Sequence, residues 1–190
     1  MKPFLLIQSR PEDAASDNEY DAFLGFSKLS ANSLHRIRAE AGDLPEIRLT
    51  DYSGIILGGG PNNVTDPHSK KSAGQKQLEQ NLDKLLDDII KNDFPFLGAC
   101  YGVGLLTNHQ RGVMGHRYHE PVGPLSIELT PSAASDDLLR GLPKKFEAFG
   151  GHKEACENLA TSATLLATSK NCPVQMFRIK QNVYAVQFHP

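Results

Sequence analysis

The chain has 190 residues, enough for one domain that buries well over half of its unfolded surface without disulfides or structural metal. Its 20 Lys and Arg nearly balance 22 Asp and Glu, so no strong field favours a nucleic-acid backbone or an anionic membrane. The apolar run near the start is too short for a signal-peptide core and no segment approaches a membrane span, so a cytoplasmic protein is expected, with neither nucleic acid nor membrane as partner.

In chain order, KPFLLIQ is a short apolar strand and EYDAFLGFSKL carries apolar residues at helical spacing. LHRIRAEA has the alternation of a second strand, with Leu34, Ile37 and Ala39 or Ala41 on its apolar side. SGIILGGGP is a β-rich run closed by three glycines and a proline. From Ser72 to Asn92, Leu78, Leu82, Leu85, Leu86, Ile89 and Ile90 recur at three and four residues, which predicts an amphipathic helix. PFLGA follows as a buried strand. Strands alternating with helices imply right-handed crossovers and a parallel sheet covered on both faces. Beyond about residue 123, PLSIELT, KFEAFGG, ATLLATS, VQMFRIKQ and NVYAVQF read as strands with short connections. The fold class expected is α/β: three layers around a central, mostly parallel sheet, with an added antiparallel or mixed sheet in the C-terminal half. No repeat, low-complexity tract or linker divides the chain, so residues 1–190 are expected to form one domain.

Gly98-Ala99-Cys100-Tyr101-Gly102 has the G-x-nucleophile-x-G spacing of a sharp strand-to-helix turn that exposes the central side chain. At the amino end of a helix, free N–H groups favour a thiolate, so a lowered pKa is expected for Cys100. The backbone N–H of Tyr101 would face an oxyanion, with Gly59 or Gly60 offering the second donor from the end of the other clear strand. His189 closes the apolar run NVYAVQFH and is the candidate base for an activated thiol pair. Three cysteines, an odd number without CxxC spacing, argue against a disulfide framework or a zinc site, and Cys156 and Cys172 are expected to pack in the interior. His109, His116 and His119, with Glu120, lack a helical HxxxH pairing, so no metal site is expected. GGGPNN lacks the Lys-Ser/Thr pair of a nucleotide loop, and no cofactor is indicated.

IILGGGP, GACYG, GGHKE and VQFHP, in this order and spacing, resemble the class I glutamine amidotransferases, particularly the glutaminase domain of GMP synthetases and its stand-alone relatives. The resemblance spans roughly residues 50 to 190, and the first 50 match only in their strand-helix pattern. It implies that Cys100 attacks the carboxamide of glutamine to form a thioester and release ammonia, with His189 as acid and base. It places the oxyanion donors at Gly60 and Tyr101, and backbone that holds the glutamine α-substituents at Gly151, His152 and Lys153. The family has Gln four residues after the nucleophile where this chain has Gly104, which either leaves space for larger γ-glutamyl compounds or permits close helix packing. The family's triad glutamate falls beyond Pro190, so the sequence is expected to lack the domain's C-terminal end. Three readings stay open: a glutaminase that supplies a separate synthetase subunit with ammonia, a hydrolase or peptidase acting on another γ-glutamyl compound, and a non-catalytic binding module of the same fold.

Overall fold

The computed structural model describes residues 2–189. The N-terminal half alternates strands and helices: β1 (Phe4–Gln8), α1 (Asp13–Ser27), β2 (Leu34–Arg38), β3 (Gly54–Leu57), α2 (Ala73–Lys91), β4 (Phe96–Ala99) and α3 (Tyr101–His109). The C-terminal half is almost entirely strand: β5 (Val113–Gly115), β6 (Glu120–Leu129), β7 (Lys145–His152), β8 (Ala155–Asn158), β9 (Ala163–Ser169), β10 (Met176–Ile179) and β11 (Val183–Val186). Helix α2 begins where the periodicity predicts, because the Ser72 hydroxyl accepts the Gln75 N–H at 3.0 Å and satisfies a first-turn donor. Helix α1 starts six residues earlier than its apolar spacing indicates, at Asp13.

Nine strands form one sheet in the order β2-β1-β3-β4-β11-β10-β9-β6-β7. Pairings from β2 to β11 are parallel and those from β11 to β7 antiparallel. The expected antiparallel region is therefore an extension of the central sheet, joined through β11, which docks parallel to β4 with Val186 opposite Ala99. A separate two-stranded sheet pairs β5 with β8, two short strands without a legible alternation. Leu5, Ile7, Ile55 and Leu57 point to one face, where Leu78, Leu82, Leu86 and Ile89 of α2 and Leu106 of α3 close the main core. On the other face Ile56 and Leu97 look towards α1. Among the described residues, no helix is long and apolar enough to cross a membrane.

Candidate active site

Cys100 sits between β4 and α3 with φ 49° and ψ −86°, a conformation that L-residues rarely adopt and that stores roughly 1–3 kcal/mol. The tight turn favours glycine at position 98, where a Cβ would lie 3.0 Å from the Gly102 Cα. The Cys100 N–H donates to the Val186 carbonyl at 2.8 Å, which ties Cys100 to β11. That register carries the chain on to Gln187, whose Nε2 lies 3.6 Å from the Cys100 Sγ as donor. Two residues later His189 is held by paired backbone hydrogen bonds with Phe149 of β7, at 2.7 and 3.2 Å. The Cys100 Cβ and the His189 Cε1 both approach the place a Cβ on Gly59 would occupy, at 3.6 and 3.0 Å, so a side chain there would crowd the His189 ring.

A cavity of about 110 Å³ opens at the sulfur, lined by Gly60, Cys100, Tyr101, Gly151, His152 and Lys153, with Glu154 and Gln187 in its wall. The predicted residues of three separate motifs thus converge on one space. Tyr101 occupies the first helical position, where the N–H has no intrahelical acceptor. Gly59 is the exception: its N–H donates to Glu19 Oε1 at 3.1 Å, which leaves Gly60 and Tyr101 as the oxyanion-donor candidates that border the cavity. The loop bearing Gly60 is pinned by Glu154, whose carboxylate accepts the N–H groups of Val64 and Thr65 at 2.8 and 2.9 Å and the Thr65 hydroxyl at 2.7 Å.

The expected low thiol pKa is not met. Burial pushes Cys100 up to about 11, with nearby Arg10 opposing the rise. Burial also holds His189 below its ordinary value, helped by the same guanidinium. Both shifts favour the neutral forms, a thiol beside a neutral imidazole, because desolvation penalises either charge.

His109, His116 and His119 do not converge: His109 pairs with Asp87, His116 contacts Thr65 and the Lys153 carbonyl, and His119 contacts the His116 carbonyl. Glu120 instead faces His152. Its buried carboxylate accepts from His152 Nε2 at 2.9 Å, Ser169 Oγ at 3.0 Å and Gln175 Nε2 at 2.6 Å. The Cys172 sulfur and the ligand-type atoms of Glu120 and His152 lie within 4.8 Å of one another, and burial pushes the Cys172 thiol up to about 11. The cluster acts as a brace that fixes His152 in the cavity wall. Cys156 is fully buried in the main core, as its sequence context indicates.

Gly104 has no open space beside it. A Cβ there would lie 2.8 Å from Val64 Cγ2 and 3.0 Å from Glu154 Oε1, so the missing side chain is replaced by close packing and the pocket is not widened. Gly104→Gln is therefore expected to lower the melting temperature by several degrees, since overpacking costs about 1–3 kcal/mol. Thermal unfolding followed by circular dichroism checks this, and a melting temperature equal to that of the unmodified chain counts against it.

Sequence reasoning missed Arg10, Glu19, Glu154 and Gln187. Only Gln187 had a local signal: two residues before His189 in an extended run, it shares a face with that candidate base. Arg10 and Glu19 meet across the β1–α1 connection, and Glu154 reaches a loop ninety residues away, so neither shows a spacing.

The fold defined by this sheet order is that of known glutamine amidotransferases. A glutamine amidotransferase from Thermotoga maritima superposes with a TM-score of 0.79 at 21% identity, covering 100% of this chain and 76% of that one. A protein from Thermoplasma acidophilum assigned as a GMP synthase subunit gives a TM-score of 0.77 at 22% identity, covering 100% and 84%. Likeness at this identity speaks for fold alone. The sequence goes further, because the family profile "Glutamine amidotransferase class-I" matches residues 21–190. The chain belongs to the class I glutamine amidotransferase family. It is 32% identical over 157 residues to the glutamine-hydrolyzing GMP synthase of Limosilactobacillus reuteri, covering 82% of this chain but 26% of that protein. It is 28% identical over 149 residues to a subunit of the glutamine-hydrolyzing GMP synthase of Thermoplasma volcanium, covering 78% and 67%.

Proposed function

We propose that residues 1–190 form a single glutaminase domain that hydrolyses the side-chain amide of glutamine and passes the ammonia to a separate synthetase subunit. The observation that carries this reading is the convergence of Cys100, Gly60, Tyr101 and the 151–153 strand end on one cavity of about 110 Å³. That volume is well below the roughly 300–1,000 Å³ of sites for larger ligands and suits an amino-acid side chain. Relatives named as glutamine-hydrolyzing GMP synthases, one of them as a single subunit of such an enzyme, support the substrate and the partner class.

The reaction follows from the resting pair. His189 takes the thiol proton as the sulfur attacks the carboxamide carbon, and the N–H groups of Gly60 and Tyr101 receive the developing oxyanion. The imidazolium then returns the proton to the leaving nitrogen, releasing ammonia and a γ-glutamyl thioester on Cys100. Water, deprotonated by the now neutral His189, attacks the thioester, glutamate departs, and the sulfur recovers its proton. Gly151, His152 and Lys153 would hold the α-amino and α-carboxylate groups with backbone atoms of the strand end that Glu120 braces.

The peptidase reading draws its support from space at position 104, which Val64 and Glu154 fill. Comparing kcat/KM for L-glutamine and a γ-glutamyl dipeptide tests the choice, with labelling of Cys100 by an electrophilic glutamine analogue as a readout independent of any partner protein. Glutamine is expected to be preferred at least about tenfold, since dipeptide leaving groups exceed the cavity. Preference for the dipeptide would overturn the reading, and so would a Cys100 that the analogue leaves unlabelled.

A further inference from the structure

Arg10 follows β1 and belongs to none of the motifs that define the site. Its Nε donates to Glu19 Oε1 at 3.2 Å, and this ion pair is partly shielded, with side-chain exposures of 31% and 11%. Glu19 is itself fixed from two further sides, accepting the Gly59 N–H at 3.1 Å and Gln8 Nε2 at 3.1 Å. Gln8 in turn accepts from the Ser16 hydroxyl at 2.9 Å and donates to the Ser16 carbonyl at 2.6 Å. A chain of buried and part-buried polar contacts therefore sets the direction of the guanidinium. That direction is towards the reacting pair: Arg10 Nη2 lies 3.0 Å from the place a Cβ on Gly59 would occupy, the same place that His189 Cε1 approaches to 3.0 Å and Cys100 Cβ to 3.6 Å. Arg10 lines, together with His189, the groove beside the substrate cavity.

We propose that Arg10 is a positioning residue for catalysis: a fixed cation, aimed by Glu19, that acts through the Cys100 sulfur and the His189 ring. The inference rests on the proposed reading that these two residues react with substrate. Its physical basis is simple. A guanidinium stays charged at any working pH, and a positive charge a few ångströms away in a partly desolvated site favours a thiolate and disfavours an imidazolium. Around Cys100 it is opposed by the carboxylates of Glu154 and Glu19 and joined by the hydrogen bond from Gln187. Around His189 it is opposed by Glu19 and joined by His152. Arg10 thus works against the burial penalty on the nucleophile and with it on the base, keeping the imidazole neutral and ready to accept a proton. An ordinary partly exposed ion pair contributes at most about 1 kcal/mol to stability, so a merely structural role predicts little change in either titration.

The test uses the pH dependence of Cys100 alkylation by iodoacetamide, an uncharged reagent, together with the titration of the His189 ring by NMR, in the unmodified chain, Arg10→Gln and Arg10→Lys. In Arg10→Gln both midpoints are expected to move upward by about one pH unit, with alkylation below the midpoint slowed about tenfold. Arg10→Lys, which keeps the charge, is expected to leave both near their original places. Either midpoint staying in place in Arg10→Gln would overturn the proposal, and so would a lysine variant shifted as far as the glutamine one. An unmodified Cys100 alkylated no faster than Cys156 or Cys172 would instead remove the catalytic reading itself. A reactive Cys100 that ignores Arg10→Gln would remove only the role of Arg10.

Discussion

Cys100→Ala is expected to reduce ammonia release from glutamine by roughly 10⁴-fold or more, to the level of background hydrolysis, while the fold persists. The size follows from the chemistry: without the sulfur no thioester forms, and the oxyanion donors alone have no attacking atom to assist. The persistence follows from the geometry, since Cys100 lies at the edge of a cavity and its anchor to Val186 is a backbone N–H that alanine retains. Cys100→Gly separates function from strain. Glycine adopts a positive φ without penalty, so it should relieve part of the roughly 1–3 kcal/mol stored at φ 49° and melt no lower than the alanine variant, while being equally inactive. Ammonia assays with thermal melts of both variants check the pair of expectations. Undiminished turnover in Cys100→Ala would eliminate the thiol mechanism.

His189→Ala is expected to lower kcat/KM for glutamine by about 10²–10⁴-fold, the usual worth of a positioned acid and base. Alanine keeps the two backbone hydrogen bonds to Phe149, so the loss is assignable to the imidazole and not to a displaced strand end. The pH profile carries a sign. Because burial and Arg10 hold the His189 pKa below its ordinary 6.5, the neutral base is present throughout the neutral range, and the acid limb of kcat/KM should fall below pH 6.5. The thiol, pushed up to about 11, is protonated across the same range, so no second inflection is expected near pH 8 to 9. An acid limb centred above 6.5 would show an imidazolium favoured in the free enzyme, contrary to this arrangement.

The sequence by itself determined the features that depend on neighbours a few residues apart. The 3.6-residue recurrence of Leu78, Leu82, Leu85, Leu86 and Ile89 located α2, and Ser72 marked its start. Small residues around Cys100 specified a sharp turn, and the family motifs pointed to Gly60, Tyr101, Gly151, His152 and Lys153 as its company. Tertiary structure decided what those motifs do to one another. The parallel docking of β11 on β4 brings Gln187 beside Cys100 across 87 positions of chain and fixes the line along which His189 arrives. It also turned the expected direction of the thiol pKa, because desolvation is a property of everything packed around Cys100 and no motif encodes it. Position 104 shows the same limit: the sequence leaves open whether the glycine clears space or permits close packing, and only the approach of Val64 and Glu154 favours packing. Arg10 and Glu19 left no signature at all. Arg10 meets Glu19, and Glu19 the Gly59 N–H, because parallel pairing sets the end of β1 beside the glycine loop after β3, a neighbourhood that no local spacing encodes.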